Sequence, residues 1–452
     1  MQESTPTELF PPRKVWFKTY GCQMNYHDSE RMLHHLKQCN FTTTDSQEAA
    51  DLIIFNTCSV RDLANQKFYS HVGETKKLKA KVAVAGCIAQ TEGKELLKKY
   101  PQIDFTLGTD VIDNISEMVY RSYNGEDRFS VNTWDKSSDY SIETQINHGT
   151  PSAFVNIMKG CDKFCSYCIV PFTRGREKSR KLVEVVKDVA RLVENSGIQE
   201  VTLLGQNVNS FGKDNDETFA GLIKELDKIN GLKLIRYTTS HPYDVTDEMI
   251  EIHGSVQKLA PHLHLPIQSG SNTVLKRMLR QYSVEHYLSL LERLRKVNPS
   301  MVITSDIIAG FPNETEAEHQ QTMALLDAAQ FDFIYSYAFS VRRGTKAAKI
   351  EDVLTDDIRG RRLREIQLHQ LKIQEKIRAQ MVGKTYRVLV DGQNDLKGEK
   401  KWKGRTTCNR LVHFLPDIEK FSPDLLWHWV DVQVISSTAL SSQGQMIFDH
   451  GK

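Results

Sequence analysis

Three short apolar runs alternate with helical patterns in the first quarter of the chain. The runs lie at Val15–Tyr20, Leu52–Asn56 and Val82–Ala85, and each is followed by a loop and by apolar positions at helical spacing. Short apolar runs bounded by polar residues are typical of strands. The repeated order of strand, loop and helix predicts an open parallel α/β sheet.

Each of these predicted strands ends at or near a cysteine. Cys22, Cys58 and Cys87 occupy equivalent positions after the first, second and third strand. The loops at the carboxyl ends of neighbouring parallel strands converge on one crevice. We therefore expect three thiolates that are distant along the chain to meet and bind a metal cluster. Cys39 lies in a helical stretch without a preceding strand, so we interpret it as a core residue.

A second series of strand and helix signals follows a polar segment at about 124–150, which we interpret as a connector between domains. Its strands are predicted at Phe154–Met158, Val201–Leu204, Leu234–Tyr237, Leu263–Leu265, Val302–Ile308 and Phe333–Ala338. These successive βα units predict an incomplete (β/α)6 barrel. Catalysis would take place at the C-terminal ends of its strands.

The loop after the first strand of this second series contains Cys161, Cys165 and Cys168. Three thiolates in one loop can hold three irons of a four-iron cluster, and the residues that follow directly offer no fourth thiolate. The open iron can then chelate S-adenosylmethionine and pass it one electron, which yields a 5′-deoxyadenosyl radical. The alternatives are buried structural thiols or part of a zinc site, although zinc sites usually pair two C-x2-C knuckles or add histidines.

Polar residues directly after the predicted barrel strands are candidates for binding the nucleoside and methionine parts of that cofactor. Active-site residues of such barrels come from the C-terminal ends of several strands. The candidates are Gln206, Asn207, Ser240, His264, Gln268 and Asp306. His264 is equally well interpreted as a hydrogen-bonded core histidine.

The pattern changes after a charged helix predicted at Asp356–Gln380. Alternating apolar and polar residues at Lys384–Val390, Arg410–Phe414 and Val430–Ile435 predict a small antiparallel β-barrel. Basic residues are frequent between Lys384 and Arg410, and Trp402 lies among them. Cationic side chains bind phosphates, and an aromatic side chain can stack on an unpaired base. We therefore predict an RNA-binding face that contains Lys401, Trp402, Lys403 and Arg405.

The amino-acid composition limits further which class of protein this chain can belong to. The 452 residues carry a net charge of only +2, but Arg174 and Arg176 belong to a local basic cluster that is a second candidate RNA contact. The eight cysteines are too sparse for a disulfide scaffold and fit a reducing compartment. Residues 1–12 lack an apolar signal segment, and no stretch reaches the length of a membrane span. We therefore expect a cytoplasmic protein without a membrane partner.

The cysteine loop with its flanks, from Lys159-Gly160-Cys161 to Arg180, resembles the radical-SAM core of the methylthiotransferases. The resemblance covers nearly the whole chain, and Thr19–Asn25 and Thr173–Arg176 are most similar to the branch that acts on isopentenylated adenosine in tRNA. It implies three domains. They are an N-terminal methylthiotransferase domain at 13–129, a radical-SAM core at 147–378 and an RNA-binding TRAM domain at 380–448.

The resemblance also implies cofactors and partners. Two 4Fe–4S clusters are expected, an auxiliary one on Cys22, Cys58 and Cys87 and the radical-SAM cluster on Cys161, Cys165 and Cys168. Two molecules of S-adenosylmethionine would be used per turnover, one to methylate a sulfur of the auxiliary cluster and one to supply the radical that removes hydrogen from adenine C2. The partners would be a tRNA anticodon stem-loop with isopentenylated adenosine, an electron donor such as flavodoxin or ferredoxin, and a system that supplies sulfur and clusters. A monomer is expected.

One family loop differs in this chain. In Gly310–Thr315, Asn313 stands where the family more often has glycine. Asparagine tolerates a positive φ better than other non-glycine residues, so we expect the turn to survive.

Two other functions remain open on the sequence. One is a related methylthiotransferase that acts on threonylcarbamoylated adenosine in tRNA or on an aspartate of a ribosomal protein. The other is a non-catalytic RNA-binding protein whose thiols hold zinc.

Overall fold

One six-stranded parallel sheet forms the N-terminal part of the protein. The computed structural model describes residues 10–59, 62–134, 140–145, 149–396, 398–416 and 424–452. The strands are β1 (Arg13–Thr19), β2 (Phe41–Thr43), β3 (Leu52–Thr57), β4 (Lys81–Gly86), β5 (Phe105–Leu107) and β6 (Phe129–Val131), in the order β2-β1-β3-β4-β5-β6. The helices are α1 (Gln23–Gln38), α2 (Asp62–Glu74), α3 (Cys87–Lys99) and α4 (Ile115–Tyr123).

Helices cover both faces of this sheet because its central strands are apolar on both sides. All positions of β3 are buried. One face packs on α1 and α4 through residues such as Leu36 and Met118, and the other packs on α2 and α3 through Phe68 and Leu96. Cys39 lies in the first of these clusters, which confirms its interpretation as a core residue.

The three predicted N-terminal strands are confirmed as β1, β3 and β4. The three-residue strands β2, β5 and β6 were not predicted, because a segment that short shows no periodicity. β6 lies inside the segment interpreted as a connector, so the sheet extends to Val131, slightly beyond the predicted domain end at 129.

The central part is a half-open barrel of parallel strands. Its strands and a short ribbon are β7 (Ser152–Asn156), β8 (Met158–Lys159), β9 (Lys178–Ser179), β10 (Glu200–Leu204), β11 (Leu234–Tyr237), β12 (His262–His264), β13 (Val302–Ala309) and β14 (Phe333–Ala338). Its helices are α5 (Val170–Thr173), α6 (Leu182–Ser196), α7 (Phe219–Asp227), α8 (Asp247–Ser255), α9 (Asn272–Arg277), α10 (Val284–Val297), α11 (Glu316–Ala329) and α12 (Asp356–Ala379).

The pairing of these strands confirms the predicted incomplete barrel. Two three-stranded parallel sheets, β11-β10-β7 and β12-β13-β14, are joined through a single parallel bridge between Ile235 and Leu259. In the part of the chain that the structure describes, β7 and β14 do not pair, so the barrel stays open between them.

Alternation along the strands separates an apolar outer side from a polar inner side. Val201, Ile235 and Ile303 belong to the large hydrophobic cluster that the strands form with the surrounding helices. Neighbouring positions on the same strands, such as Arg236 and Thr304, point the opposite way, because successive side chains of a strand alternate. The inside of the half-barrel is therefore suited to polar ligands.

Serine and threonine caps fix where the barrel helices begin. Six helices, α7 to α12, have a Ser or Thr at the N-cap whose side chain accepts a hydrogen bond from a backbone N–H of the first turn. Such a cap typically stabilises a helix by about 1 kcal/mol. The strongest example is α11, where Thr315 and Glu318 form a capping box.

The C-terminal part is a closed barrel of five strands. They are β15 (Thr385–Leu396), β16 (Glu399–Thr406), β17 (Leu411–Leu415), β18 (Trp429–Ser437) and β19 (Ser442–Asp449), in the order β15-β16-β17-β19-β18. The predicted small β-barrel is confirmed, but it is not wholly antiparallel, since β17 and β19 run parallel. None of the helices in the described ranges is both long and apolar enough to cross a lipid bilayer.

The C-terminal barrel docks on the end of the central part where the parallel strands begin. Arg236 donates hydrogen bonds to the carbonyl oxygens of Thr406 and Thr407 at 2.9 and 2.8 Å. Asp332, directly before β14, lies between Arg378 of α12 at 2.7 Å and Arg410 of the C-terminal barrel at 2.6 Å. The thiol loop follows β7, so it lies at the opposite end of the strands.

We predict that Asp332→Ala destabilises this junction strongly. The substitution leaves Arg378 and Arg410 buried without a carboxylate, and loss of one partner from a buried ion pair costs about 3–5 kcal/mol. Denaturant unfolding of the full chain measures the effect. Asp327→Ala is the matched control, because the Asp327 carboxylate pairs with His369 but is 62% exposed. Its loss should change the free energy of unfolding by less than about 0.5 kcal/mol. Equal effects of the two substitutions would contradict the role of the buried triad.

Candidate metal centres and active site

The three N-terminal cysteines lie at the ends of three neighbouring strands, β1, β3 and β4. Cys22 caps the N-terminus of α1, Cys58 follows β3 directly, and Cys87 is the first residue of α3. A helix N-terminus carries a partial positive charge that favours a thiolate. The three cysteines therefore lie at the same edge of the sheet, and their binding of one cluster stays a prediction.

Close backbone packing holds these thiols. Gly21 has φ +116°, and a Cβ placed there would lie 2.4 Å from the Cβ of Cys58. Asn25 donates to the carbonyl oxygen of Thr57 at 2.8 Å, and Asn56 donates to the carbonyl oxygen of Asn25 at 2.7 Å. The Cys22 thiol donates to Asn25 Oδ1 at 3.5 Å. The loops after β1 and β3 are thus fixed to each other through two asparagines.

Arg174 reaches this site from the central part of the chain. Its side chain is 7% exposed and forms an ion pair with Asp28 of α1 at 2.7 Å. Its Nη2 also donates to Asn25 Oδ1 at 3.3 Å, the oxygen that Cys22 contacts. Burial opposes its charge, but Asp28 and the nearby thiols of Cys87 and Cys22 hold the pKa of Arg174 well above its ordinary value. This guanidinium is therefore enclosed at an internal interface, which does not support the predicted contact of Arg174 with RNA.

The second thiol site is the loop after β7. The Cys161 N–H donates to the carbonyl oxygen of Gly175 at 3.1 Å, and the Cys168 N–H donates to that of Cys165 at 3.0 Å. Gly160 has φ +78°, and a Cβ there would lie 1.9 Å from the carbonyl oxygen of Arg176. The loop is thus packed against the segment that contains Arg174.

Burial makes three of these thiols weaker acids. It raises the pKa of Cys22, of Cys161 and of Cys168, the last to about 12. All eight cysteines are free of disulfides. Because a metal binds the thiolate, a bound cluster would have to displace a proton from each ligand, and the gain of metal–sulfur bonds would offset that cost.

Two of the predicted cofactor residues, Gln206 and Asn207, lie against the thiol loop. Gln206 Oε1 accepts from the Gly160 N–H at 2.5 Å. Asn207 donates to Glu177 at 3.1 Å and to Asp244 at 2.8 Å, while its own Oδ1 is buried without a hydrogen-bond partner among the described residues. The free acceptor is available to a ligand.

The loop after β11 contributes a third predicted residue, Ser240. Its Oγ and the Nε2 of the adjacent His241 are also buried without a hydrogen-bond partner among the described residues. The His241 ring packs on Tyr282 at 5.5 Å. Burial and the cations around it lower the pKa of His241, so the ring is neutral. Together with Asn207, these residues form a polar surface beside the thiol loop, and some of its buried atoms have no hydrogen-bond partner among the described residues.

The remaining predicted residues lie deeper in the half-barrel. His264 Nδ1 contacts Thr304 Oγ1 at 3.0 Å, and its Nε2 lies 3.5 Å from Asp306. His264 therefore has side-chain partners, yet it borders the open interior. Gln268 has φ +78°, and its backbone bridges β13 through the Asp306 carbonyl and the Ile308 N–H, both at 2.9 Å.

Several side chains at the site were not predicted. Arg280 donates to Cys165 Sγ at 3.3 Å and to the carbonyl oxygen of Pro266 at 2.9 Å. Lys163, inside the thiol loop, forms an ion pair with the buried Asp244 at 2.8 Å. Asp244 is four residues beyond the predicted Ser240, and Arg280 follows α9, where no strand end or motif marks it.

The RNA candidates of the C-terminal barrel separate into two groups. Trp402 is 9% exposed and packs in the barrel core with Phe414, its partner on β17, which does not support its predicted stacking on a base. Lys401, Lys403 and Arg405 alternate with it along β16 and point outward. Lys401 is partly engaged by Gln443 at 3.0 Å. Arg176, in the central part, has a side chain that is 70% exposed.

Both thiol sites fit a three-cysteine iron–sulfur cluster. Each offers three free cysteines, and the second site adds the acceptors of Asn207 and Ser240, which have no hydrogen-bond partner among the described residues, where an amino-acid and nucleoside ligand would lie. A half-open parallel barrel with such a loop after its first strand, next to a sheet with three further thiols, defines a radical-SAM enzyme with an auxiliary thiol site.

Comparison with known proteins identifies the family. Residues 155–326 match the radical SAM superfamily, and residues 14–108 match a family described as uncharacterized protein family UPF0004. The tRNA-2-methylthio-N(6)-dimethylallyladenosine synthase of Bdellovibrio bacteriovorus is 40% identical over 442 residues, which cover 96% of this chain and 96% of that protein. The chain belongs to the family of tRNA-2-methylthio-N(6)-dimethylallyladenosine synthases. The synthase of Ruegeria pomeroyi is 43% identical over 89% of this chain and 93% of its own length.

Solved structures confirm the fold. The radical S-adenosylmethionine methyltransferase TsrM from Kitasatospora setae, with tryptophan and a SAM analog bound, superposes with a TM-score of 0.57 over 74% of this chain and 75% of its own. A second structure of that enzyme, with cobalamin and a 4Fe–4S cluster, gives 0.55 over 75% and 77%. The identity is 13% in both cases, so the likeness concerns the fold. The radical SAM match implies an iron–sulfur cluster and S-adenosylmethionine for this chain.

We predict that Gly21→Ala impairs the auxiliary site selectively. A methyl group there would collide with Cys58 and would also be strained at positive φ. Reconstituted protein should lose about half of its iron and sulfide, because the second thiol site is built on other elements. Gly73→Ala is the matched control, since a Cβ at that helical position meets no atom within 4 Å. Full iron content in Gly21→Ala would contradict the predicted collision.

Proposed function

We propose that this protein converts isopentenylated (dimethylallyl) adenosine next to the anticodon of a tRNA into its 2-methylthio derivative. The observation that carries the proposal is the pairing of two three-thiol sites, one in a radical-SAM loop and one across an internal interface from it. Relatives that match 96% and 89% of the chain carry the name of this activity.

The reaction explains why two thiol sites are needed. The hydrogen on adenine C2 is held by an aryl C–H bond, which is too weakly acidic for a general base at neutral pH. Bound at Cys161, Cys165 and Cys168, a 4Fe–4S cluster with S-adenosylmethionine would supply the radical that removes this hydrogen, and a second cluster at Cys22, Cys58 and Cys87 would supply sulfur, with a second S-adenosylmethionine as methyl donor.

The residues of the central part would bind and orient the first cofactor. Gln206 fixes the thiol loop through Gly160, and Arg280 donates to Cys165 and so places a positive charge beside the thiolates. The free acceptors of Asn207 and Ser240 suit the ammonium and ribose hydroxyl donors of S-adenosylmethionine. His264 on β12 and Asp306 on β13 would supply further polar contacts to this cofactor.

RNA would approach the open side of this site. An anticodon-loop base is the least costly to unstack, and a base must leave the stack to enter a buried site. Arg176 has an exposed guanidinium beside the thiol loop, and Lys403 and Arg405 face outward on β16, so these side chains would contact phosphates. An electron donor such as flavodoxin or ferredoxin and a sulfur supply would complete the cycle.

We predict that the two thiol sites have separable roles. Cys165→Ala should abolish formation of 5′-deoxyadenosine, because the radical-SAM cluster loses a ligand. Cys58→Ala should still form 5′-deoxyadenosine without coupling it to product, and methylthiolated nucleoside should disappear. Anaerobic assays that quantify both products by mass spectrometry measure these outcomes.

Cys39→Ala is the matched control for these substitutions. Cys39 is a buried core thiol away from both sites, so both products should form as in the parent protein. Methylthiolated nucleoside from Cys58→Ala, or 5′-deoxyadenosine from Cys165→Ala, would contradict the assigned roles.

A further inference from the structure

One short segment, Thr173–Arg176, contacts both thiol sites. On one side, the Gly175 carbonyl oxygen accepts from the Cys161 N–H at 3.1 Å. On the other side, Arg174 pairs with Asp28 at 2.7 Å and donates to Asn25 beside Cys22. Thr173 joins the same interface, since its carbonyl oxygen accepts from Thr109 Oγ1 at 2.5 Å. The segment Thr173–Arg176 therefore connects the two thiol sites directly.

The positive charge of Arg174 is only partly neutralised by its ion pair with Asp28. Asp28 also lies 3.7 Å from Arg31, so a single buried carboxylate serves two guanidinium groups. Arg31 is paired in addition with Asp113, which lies directly before α4. Arg174 has Asp28 as its one ion-pair partner in the described ranges, and its Nη2 also reaches Asn25 Oδ1, the atom that the Cys22 thiol contacts.

We infer that Arg174 is the counter-charge of the auxiliary cluster and sets its reduction potential. Three thiolates give a bound 4Fe–4S cluster a net negative charge, and reduction adds another negative charge. A guanidinium enclosed at the same interface favours the more negative state, since charges interact strongly where water is excluded. The inference rests on the proposed function, because it requires that Cys22, Cys58 and Cys87 hold a cluster.

This role makes a prediction that a purely structural role does not. Removal of the positive charge at Arg174 should make reduction harder, and removal of the negative charge at Asp28 should make it easier. Loss of a structural ion pair would instead perturb the site in the same way from either partner. The sign of the two shifts therefore separates the explanations.

The test uses a full-length parent protein with Cys161, Cys165 and Cys168 changed to Ala, so that only the auxiliary site can hold a cluster. Anaerobic reconstitution, iron and sulfide determination, and a redox titration followed by electron paramagnetic resonance are applied to this parent and to its R174M, R174K and D28N derivatives. R176M is the matched control, because Arg176 lies in the same segment with a side chain that is 70% exposed, and its ion pair with Asp162 is screened by water.

We expect a more negative midpoint potential for R174M, a less negative one for D28N, and values close to the parent for R174K and R176M. Equal potentials in R174M and the parent, or shifts of R174M and D28N in the same direction, would overturn the inference. If R174M does not retain its cluster, D28N decides alone, and a potential at or below that of the parent contradicts the counter-charge role. A parent protein that binds no iron would overturn the proposed auxiliary site itself.

Discussion

Parallel strands end on the same edge of their sheet, and both thiol sites depend on that geometry. No local sequence motif connects Cys22, Cys58 and Cys87, yet the adjacency of β1, β3 and β4 brings them to one place. The loop of Cys161 follows β7 in the same way and opens into the half-barrel. The chemistry proposed for this protein is therefore a consequence of sheet order, with the thiols supplied by the loops.

The two sites act as one unit only if the N-terminal and central parts stay in register. Buried polar contacts hold them together, including Lys159 with Asp110 at 2.6 Å and Arg174 with Asp28 at 2.7 Å. Burying such charges contributes little net stability, because their desolvation cost is close to the energy gained by pairing. Their value lies in specificity, since any shift of one part against the other would leave a charge unpaired.

Sequence patterns predicted the features that follow local rules. Strand and loop order located the six thiols, and Asn313 adopts φ 58°, the positive value expected from the family turn. Side chains alternate between the two faces of a strand, so Trp402 on β16 faces the opposite way from Lys401, Lys403 and Arg405. This alternation was already visible in the sequence. The enclosure of Arg174 and the contact of Arg280 with Cys165 were not predicted, because their partners come from other parts of the chain. A basic side chain in a loop gives no sign of which surface will cover it.

The central claim is that this protein inserts sulfur into a tRNA base. The most direct test is the anaerobic reaction of iron-reconstituted protein with S-adenosylmethionine, a reductant and isopentenylated tRNA, followed by mass spectrometry of the digested nucleosides. We expect the 2-methylthio derivative of isopentenyladenosine together with 5′-deoxyadenosine. Formation of 5′-deoxyadenosine with the nucleoside unmodified, or the absence of both products from fully loaded protein, would contradict it.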